Sequence, residues 1–133
     1  KETTIVSGGF LIDTIGPTIN NTTVTIGEDE ELGCTKSTVK IESVQDNGIG
    51  TIKEYAYHLG NPGDLEYNST WKHTGTNSNI IEMRSGDPGP IATNYAYIVA
   101  IDSLGNVGPM YRVEISVGEP VKETDTVDKD YIE

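Results

Sequence analysis

Apolar and polar residues alternate along most of this chain, which is the pattern of half-buried β-strands. The clearest stretch is residues 109–117, where Tyr111, Val113, Ile115 and Val117 are separated by polar residues. No stretch has the period of an amphipathic helix. The pattern predicts seven strands, over residues 18–26, 37–45, 51–59, 65–73, 79–84, 93–102 and 109–117.

Turn-forming residues separate these predicted strands. Gly, Pro, Asn and Asp favour or tolerate turn conformations, and they cluster between the apolar stretches. Short strands at intervals of roughly 8–12 residues predict an antiparallel β-sandwich, and a closed barrel with a similar number of strands fits the same pattern. The predicted connections are an acidic loop at residues 27–33 and turns at residues 46–50, 61–64, 86–90 and 103–106.

One predicted strand is apolar on both faces. Residues 93–102 place Tyr97 and Ala100 on opposite sides of the strand, each among apolar neighbours. A strand with one face in water would show alternation, so this strand is predicted to be central and covered on both faces. We expect both residues to be largely buried, under either residues 10–12 or the long connection at residues 61–78.

Composition supports an all-β fold and limits the function. Nearly a third of the residues are Val, Ile or Thr, whose branched side chains suit strands. This excludes an all-helical bundle. The formal net charge of −12 excludes a nucleic-acid binder of the usual kind, which needs a cationic patch for the phosphates. No apolar run approaches the roughly 18 residues of a membrane-spanning helix.

The single cysteine, Cys34, excludes an internal disulfide, and the sequence has no cysteine–histidine cluster for zinc. A reactive thiol needs cationic neighbours. Lys36 is near, but the acidic residues 28–31 oppose it. Cys34 is therefore predicted to be a buried or half-buried apolar residue.

The chain divides into three parts by composition. Residues 17–117 hold the predicted strands and form the expected sandwich. Residues 1–16 combine a short apolar stretch with a Gly-Gly break, and we expect them to join a preceding module. Residues 118–133 are mostly polar and acidic, which indicates a linker or tail. We expect the chain to be a piece of a longer protein.

Three strings resemble the bacterial immunoglobulin-like and fibronectin type III-like repeats. Residues 10–19 (FLIDTIGPTI) resemble the joint that opens such repeats, and residues 95–108 (YAYIVAIDSLGNVG) resemble their penultimate strand and its turn. Residues 48–61 resemble a segment that carries a Gly-Ile pair followed by two tyrosines. The resemblance covers about residues 10–117 and implies an immunoglobulin-like sandwich of about seven antiparallel strands. It also implies that the chain belongs to a secreted, bacterial cell-surface or phage virion protein.

Signals for catalysis and metal binding are poor. His58 and His73 have no serine or cysteine nucleophile motif beside them, and no phosphate-binding loop is present. Residues 28–31 and Asp46 offer oxygen ligands, but consecutive strand residues point to alternate faces and no calcium loop is formed. The chain is therefore predicted to be no enzyme and to hold no metal or cofactor. The acidic run is predicted to be a solvated loop that deters pairing between sheet edges.

Asp102 ends a predicted strand just before Gly105 and Asn106. Its carboxylate can accept hydrogen bonds from the next backbone amides, and the two later residues tolerate positive φ. Asp102 is therefore predicted to fix a turn, with calcium ligation as the alternative.

Tyr67 and Trp71 are the candidate ligand-binding residues. They lie four positions apart in a strand-like segment, which would place them on one face. The pair could form a flat platform for a sugar, or Trp71 could fill the core of the sandwich, or contact a partner.

The function predicted from these observations is that of a non-catalytic immunoglobulin-like module. It would serve as a spacer, display or adhesion domain of a larger extracellular, cell-surface or virion protein. The alternative is a carbohydrate-binding accessory module of a glycan-active enzyme. Expected partners are neighbouring domains of the same chain, with a host protein or a cell-surface glycan as further candidates. The sequence predicts a monomer that binds no nucleic acid and does not insert into a membrane.

Overall fold

The computed structural model describes residues 4–5, 11–12, 16–46, 50–63 and 66–120, and these ranges contain strands and turns but no helix. The strands are β1 (Thr4–Ile5), β2 (Leu11–Ile12), β3 (Thr18–Asp29), β4 (Cys34–Gln45), β5 (Ile52–Leu59), β6 (Lys72–His73), β7 (Ile80–Met83), β8 (Thr93–Asp102) and β9 (Tyr111–Val117).

The seven strands from β3 onward form two antiparallel sheets. One sheet has the order β3-β4-β7 and the other has the order β6-β5-β8-β9. The short strands β1 and β2 form a separate two-stranded sheet within the described part of the chain. Because β4 and β5 lie in different sheets, as do β6 and β7, the chain crosses between the sheets more than once. This arrangement confirms the prediction of an antiparallel, all-β, sandwich-like fold.

The core lies between the two sheets and takes side chains from both. β4 contributes Val39 and Ile41, which alternate with polar neighbours on the outer face. Alternation is the physical reason that these sequences form strands, since it places one face in the core and the other in water. Each fully buried aliphatic side chain stabilises the fold by about 1.5–3 kcal/mol. The opposing sheet contributes Tyr55, Tyr57, Leu59, Ala96, Ile98, Ala100, Val113, Ile115 and Val117.

The strand β8 is central, as its sequence predicts. It lies between β5 and β9, and its bounds match the predicted residues 93–102. Ala100 is 0% exposed, whereas Tyr97 is half-buried rather than largely buried. The outer face of β8 is covered from the connection at residues 61–78, through Trp71. The other proposed cover, residues 10–12, has no described side chains.

Several predicted boundaries differ from those of the structure. Of the predicted strand at residues 65–73, the described residues 66–73 form a strand only at Lys72–His73, because the Asn68 side chain accepts hydrogen bonds from the amide and hydroxyl of Thr70 and turns the chain there. The predicted acidic loop at residues 27–33 is shorter than expected. β3 continues through Asp29, since Glu28 and Asp29 pair with Thr35 and Cys34.

The chain enters and leaves the sandwich at opposite ends. Gly16 and Gly108 lie so close that a Cβ on either would collide with the backbone beside the other, which requires glycine at both positions. This contact lies at the Thr18 end of β3. At the other end, the Gly118 amide donates to the Thr35 carbonyl at 3.0 Å. The length of β3, about 35 Å at roughly 3.3 Å per residue, separates the two points. Of the predicted tail, residues 121–133 lie outside the described residues.

Candidate functional site

The structure brings Tyr67 and Trp71 together on the outer face of the four-stranded sheet. Their rings meet edge to face, with centroids 5.4 Å apart. Strand alternation does not cause this contact, since the segment turns at Asn68 before reaching Trp71. The two rings instead belong to a second apolar cluster that covers β5 and β8, with Ala56, Val99, Ile101, Tyr97 and Met110.

Trp71 occupies an interior position in this second cluster. It is 3% exposed, whereas Tyr67 is half-buried. The structure therefore buries Trp71, but in this outer cluster rather than in the core between the two sheets that the sequence offered as an alternative. A sugar-stacking platform needs an exposed ring face, which Trp71 does not present.

Two buried nitrogens beside this cluster have no hydrogen-bond partner among the described residues. They are Nε1 of Trp71 and Nδ1 of His58, and the two rings have centroids 6.0 Å apart. A buried polar atom without a partner destabilises the fold by about 1–3 kcal/mol. The cluster therefore depends on apolar burial rather than on a hydrogen bond donated by the indole.

A chain of polar side chains holds the Tyr67 segment to the sheet. The Tyr67 hydroxyl lies 2.8 Å from Nε2 of His73, and Nδ1 of His73 lies 2.9 Å from Oε2 of Glu54. The other Glu54 oxygen accepts a hydrogen bond from the Gly75 amide. Burial works to raise the pKa of Glu54, but the bonds from His73 and Gly75 outweigh it and hold the pKa below its ordinary value.

Burial, with the Glu54 charge, raises the pKa of Tyr67. The three groups fix the connection between β5 and β6 in place. Sequence analysis could not bring these three residues together, because Glu54 and His73 lie on different strands.

An open groove of about 500 Å³ runs between the outer edges of β6 and β7. The Tyr57 hydroxyl donates to Oδ2 of Asp87 at 2.7 Å, and Lys72 donates to the other Asp87 oxygen at 3.2 Å. Burial raises the pKa of Tyr57, and the bond to Asp87 raises it further. Arg84 also lines the groove. The Tyr57 hydroxyl on β5 also lies 3.2 Å from the Glu82 carbonyl oxygen on β7, so the polar contacts of Tyr57 join the two sheets.

One residue of the acidic run at residues 28–31, Asp29, has a structural role. Asp29 is buried, and its Oδ1 accepts hydrogen bonds from the amides of Glu31 and Leu32 while its Oδ2 accepts one from Arg84 at 2.7 Å. The bond from Arg84 holds the pKa of Asp29 below its ordinary value despite burial. Within the described ranges, no three acidic, histidine or cysteine side chains form a group that could hold a metal ion.

Asp102 fixes the turn after β8, as predicted. Its Oδ1 accepts hydrogen bonds from the amides of Leu104 and Asn106, at 3.0 and 2.8 Å. Gly105 has a φ of 88°, which glycine adopts without strain.

Cys34 is buried as predicted, and burial raises the pKa of its thiol, with the charges of Asp29 and Glu28 adding to the effect.

Across the described residues, no helix is long and apolar enough to cross a membrane. No protein-family model, curated protein or solved structure matches this chain.

Proposed function

We propose that this chain is a non-catalytic immunoglobulin-like module that acts as a spacer, display or adhesion domain of a larger extracellular, cell-surface or virion protein. The observation that carries the proposal is the position of the two joints. The chain enters beside Gly108 and leaves beside Thr35, at opposite ends of the sandwich. Modules joined in this way add their lengths, which is what a spacer requires.

The strand order supports the immunoglobulin-like part of the proposal. Three strands in the order β3-β4-β7 face four in the order β6-β5-β8-β9. In immunoglobulin-like sandwiches, too, the first two strands share one sheet and the third lies in the other. The resemblance of residues 95–108 to the bacterial repeats supports the extracellular, cell-surface or virion setting.

The end of the sandwich at which the chain enters also has apolar residues suited to a neighbouring module. Leu104 is 59% exposed, and Val107 is partly exposed next to Gly108. Both lie in the turn that contacts Gly16. A preceding module would cover them, as domain contacts within a chain commonly do.

A tandem protein of three copies tests the proposal. We expect its maximum dimension in small-angle X-ray scattering to exceed that of the single chain by at least about 35 Å for each added copy, the length of β3. Copies that fold back on one another would give a compact particle whose dimension grows much less. That result would contradict a spacer.

The carbohydrate-binding alternative has weaker support. It relies on Tyr67 and Trp71 as a platform, and the Trp71 ring is buried. Titration with polysaccharides, followed by the emission of the single tryptophan, separates the two proposals. A saturable change in emission would favour the carbohydrate-binding module.

A further inference from the structure

β3 is an edge strand whose outer side is unpaired by any described strand. It is 12 residues long and pairs with β4 on its inner side alone. Its pairing is irregular between Ile19 and Thr22 and regular from Thr22 to Asp29. The regular part is long enough to accept another strand.

The hydrogen bonds of β4 show which backbone groups of β3 point outward. The Ile41 amide donates to the Asn79 carbonyl, and the Thr35 carbonyl accepts from Gly118. Both bonds lie on the side of β4 that faces β7. In an antiparallel ladder, successive residues direct their backbone groups to opposite sides. The even-numbered residues of β4 therefore face β3.

The partners of those even-numbered residues are Thr23, Thr25 and Gly27, so these three are bonded to β4. Val24 and Ile26, between them, direct their amides and carbonyls away from the sheet. Ile26 lies on the same face as Val24 but is 58% exposed. The outer edge therefore offers backbone donors and acceptors beside an uncovered apolar side chain.

This edge lacks the features by which proteins usually prevent pairing. Residues 18–27 contain no charged residue and no proline, and both are common protective devices on edge strands. The acidic run predicted to deter pairing contributes little, because Asp29 turns inward to Arg84. Glu28 remains, at one end of the strand.

We propose that the outer edge of β3 pairs with the same edge of a second copy of this chain, antiparallel and about a two-fold axis. The two three-stranded sheets would join into one sheet of six strands. The charge distribution favours this direction. If Val24 lies opposite its counterpart, each Glu28 faces uncharged residues, and the two Glu28 residues are about 26 Å apart. Parallel pairing would bring like charges together.

The pairing depends on ionic strength. Each copy has a formal net charge of −12, so two copies repel each other when salt is low. The Debye length falls from about 20 Å near 0.02 M salt to about 4 Å near 0.5 M. The monomer predicted from the sequence is thus the low-salt state, and the dimer is the high-salt state. This proposal does not depend on the spacer function.

Sedimentation equilibrium of the full chain tests the pairing. At about 0.5 M NaCl we expect a dimer at concentrations near 0.5 mM, with a dissociation constant at least about tenfold lower than at 0.02 M. Ile26→Pro removes an outward amide without removing a bond to β4, and it should weaken the dimer by about tenfold or more. Ile26→Thr keeps that amide, and it should weaken the dimer by less than about threefold.

Every other outcome overturns the proposal. A chain that stays monomeric at high salt has no such edge contact. A dimer that is unaffected by Ile26→Pro uses another surface, and equal weakening by both variants indicates side-chain contact rather than strand pairing. If Ile26→Pro does not fold, amide hydrogen exchange of the native chain tests whether the edges of β3 pair. Exchange at residues 22–28 should slow as the protein concentration rises. An exchange rate that does not change with protein concentration contradicts the pairing.

Discussion

The hydroxyl of Ser37 donates to the Ser116 carbonyl and accepts from the Ser116 amide, each at 2.8 Å. Ser37 lies on β4 and is 0% exposed, whereas Ser116 lies on β9 in the other sheet. One side chain thus bonds both backbone groups of a residue across the sandwich. The contact lies beside the bond between Gly118 and Thr35, where the chain leaves the fold.

Ser37→Ala is expected to destabilise the chain by about 1–3 kcal/mol, because it leaves the Ser116 amide and carbonyl without this partner. Urea unfolding followed by circular dichroism measures the change. Ser43→Ala, at an exposed position of the same strand, is the control and should change stability by less than about 0.5 kcal/mol. Equal effects of the two substitutions would show that the contact across the sheets contributes nothing.

Tyr57→Phe is expected to destabilise the chain by about 1–2 kcal/mol. It removes the hydrogen bonds to Asp87 and to the Glu82 carbonyl, and leaves a buried carboxylate with one partner fewer. Tyr111→Phe is a matched control, since it removes only a 3.5 Å contact with Thr22. Thermal unfolding of the two variants should separate clearly, and similar midpoints would contradict the assigned role of Tyr57.

Ala100→Asp is expected to cost several kcal/mol and to unfold the chain at ordinary temperature, because it places an unpaired carboxylate in the core. Asn94→Asp adds the same charge at an exposed position of β8 and should fold normally. Circular dichroism compares the two. An Ala100→Asp chain with near-normal stability would mean that β8 is not central.

The ion pair between Asp29 and Arg84 predicts a loss of stability in acid. The pKa of Asp29 lies below its ordinary value of 3.8, chiefly because Arg84 bonds to it. The folded chain therefore binds fewer protons, so the pair stabilises it above the unfolded-state pKa. The contribution disappears as the pH falls through the folded-state pKa.

Asp29→Asn should accordingly flatten the decrease in stability between about pH 5 and pH 2. Chemical unfolding at several pH values measures this decrease. Glu28→Gln, at the exposed neighbouring position, should leave it as in the natural chain. An Asp29→Asn chain with the same acid dependence as the natural chain would assign the effect to other carboxylates.

The buried position of Trp71 can be checked by fluorescence, since it is the single tryptophan. We expect a blue-shifted emission maximum and weak quenching by acrylamide. Tyr67→Ala removes the ring that contacts Trp71 and should increase quenching, whereas Ile91→Ala, at an exposed site, should not. Strong quenching in the natural chain would contradict the interior placement.

Sequence analysis predicted best those strands whose apolar residues either alternate with polar ones or run without interruption, because both patterns indicate a strand. β8 matches its prediction, and β9 differs by two residues at its start. The segment at residues 65–73 misled the prediction, because its aromatic residues favour strands while the Asn68 side chain turns the backbone.

The polar contacts of the sites could not be predicted in the same way. Ser37 meets Ser116 across 79 positions, and Glu54 meets His73 across 19. Such contacts arise from how the two sheets pack, and no local spacing encodes them. The placement of Trp71 could not be predicted for the same reason, since its burial depends on packing against the outer face of β8.

The opposite placement of the two joints also determines how the module responds to tension. A pull on the flanking segments runs along β3 and β9, which point the same way, from the Gly16 end toward the Gly118 end. Neighbouring strands would then slide past each other, and many hydrogen bonds would be strained together. Strands pulled from a single end separate one bond at a time, at lower force. A series of such modules would therefore stay folded under tension that opens an ordinary hairpin.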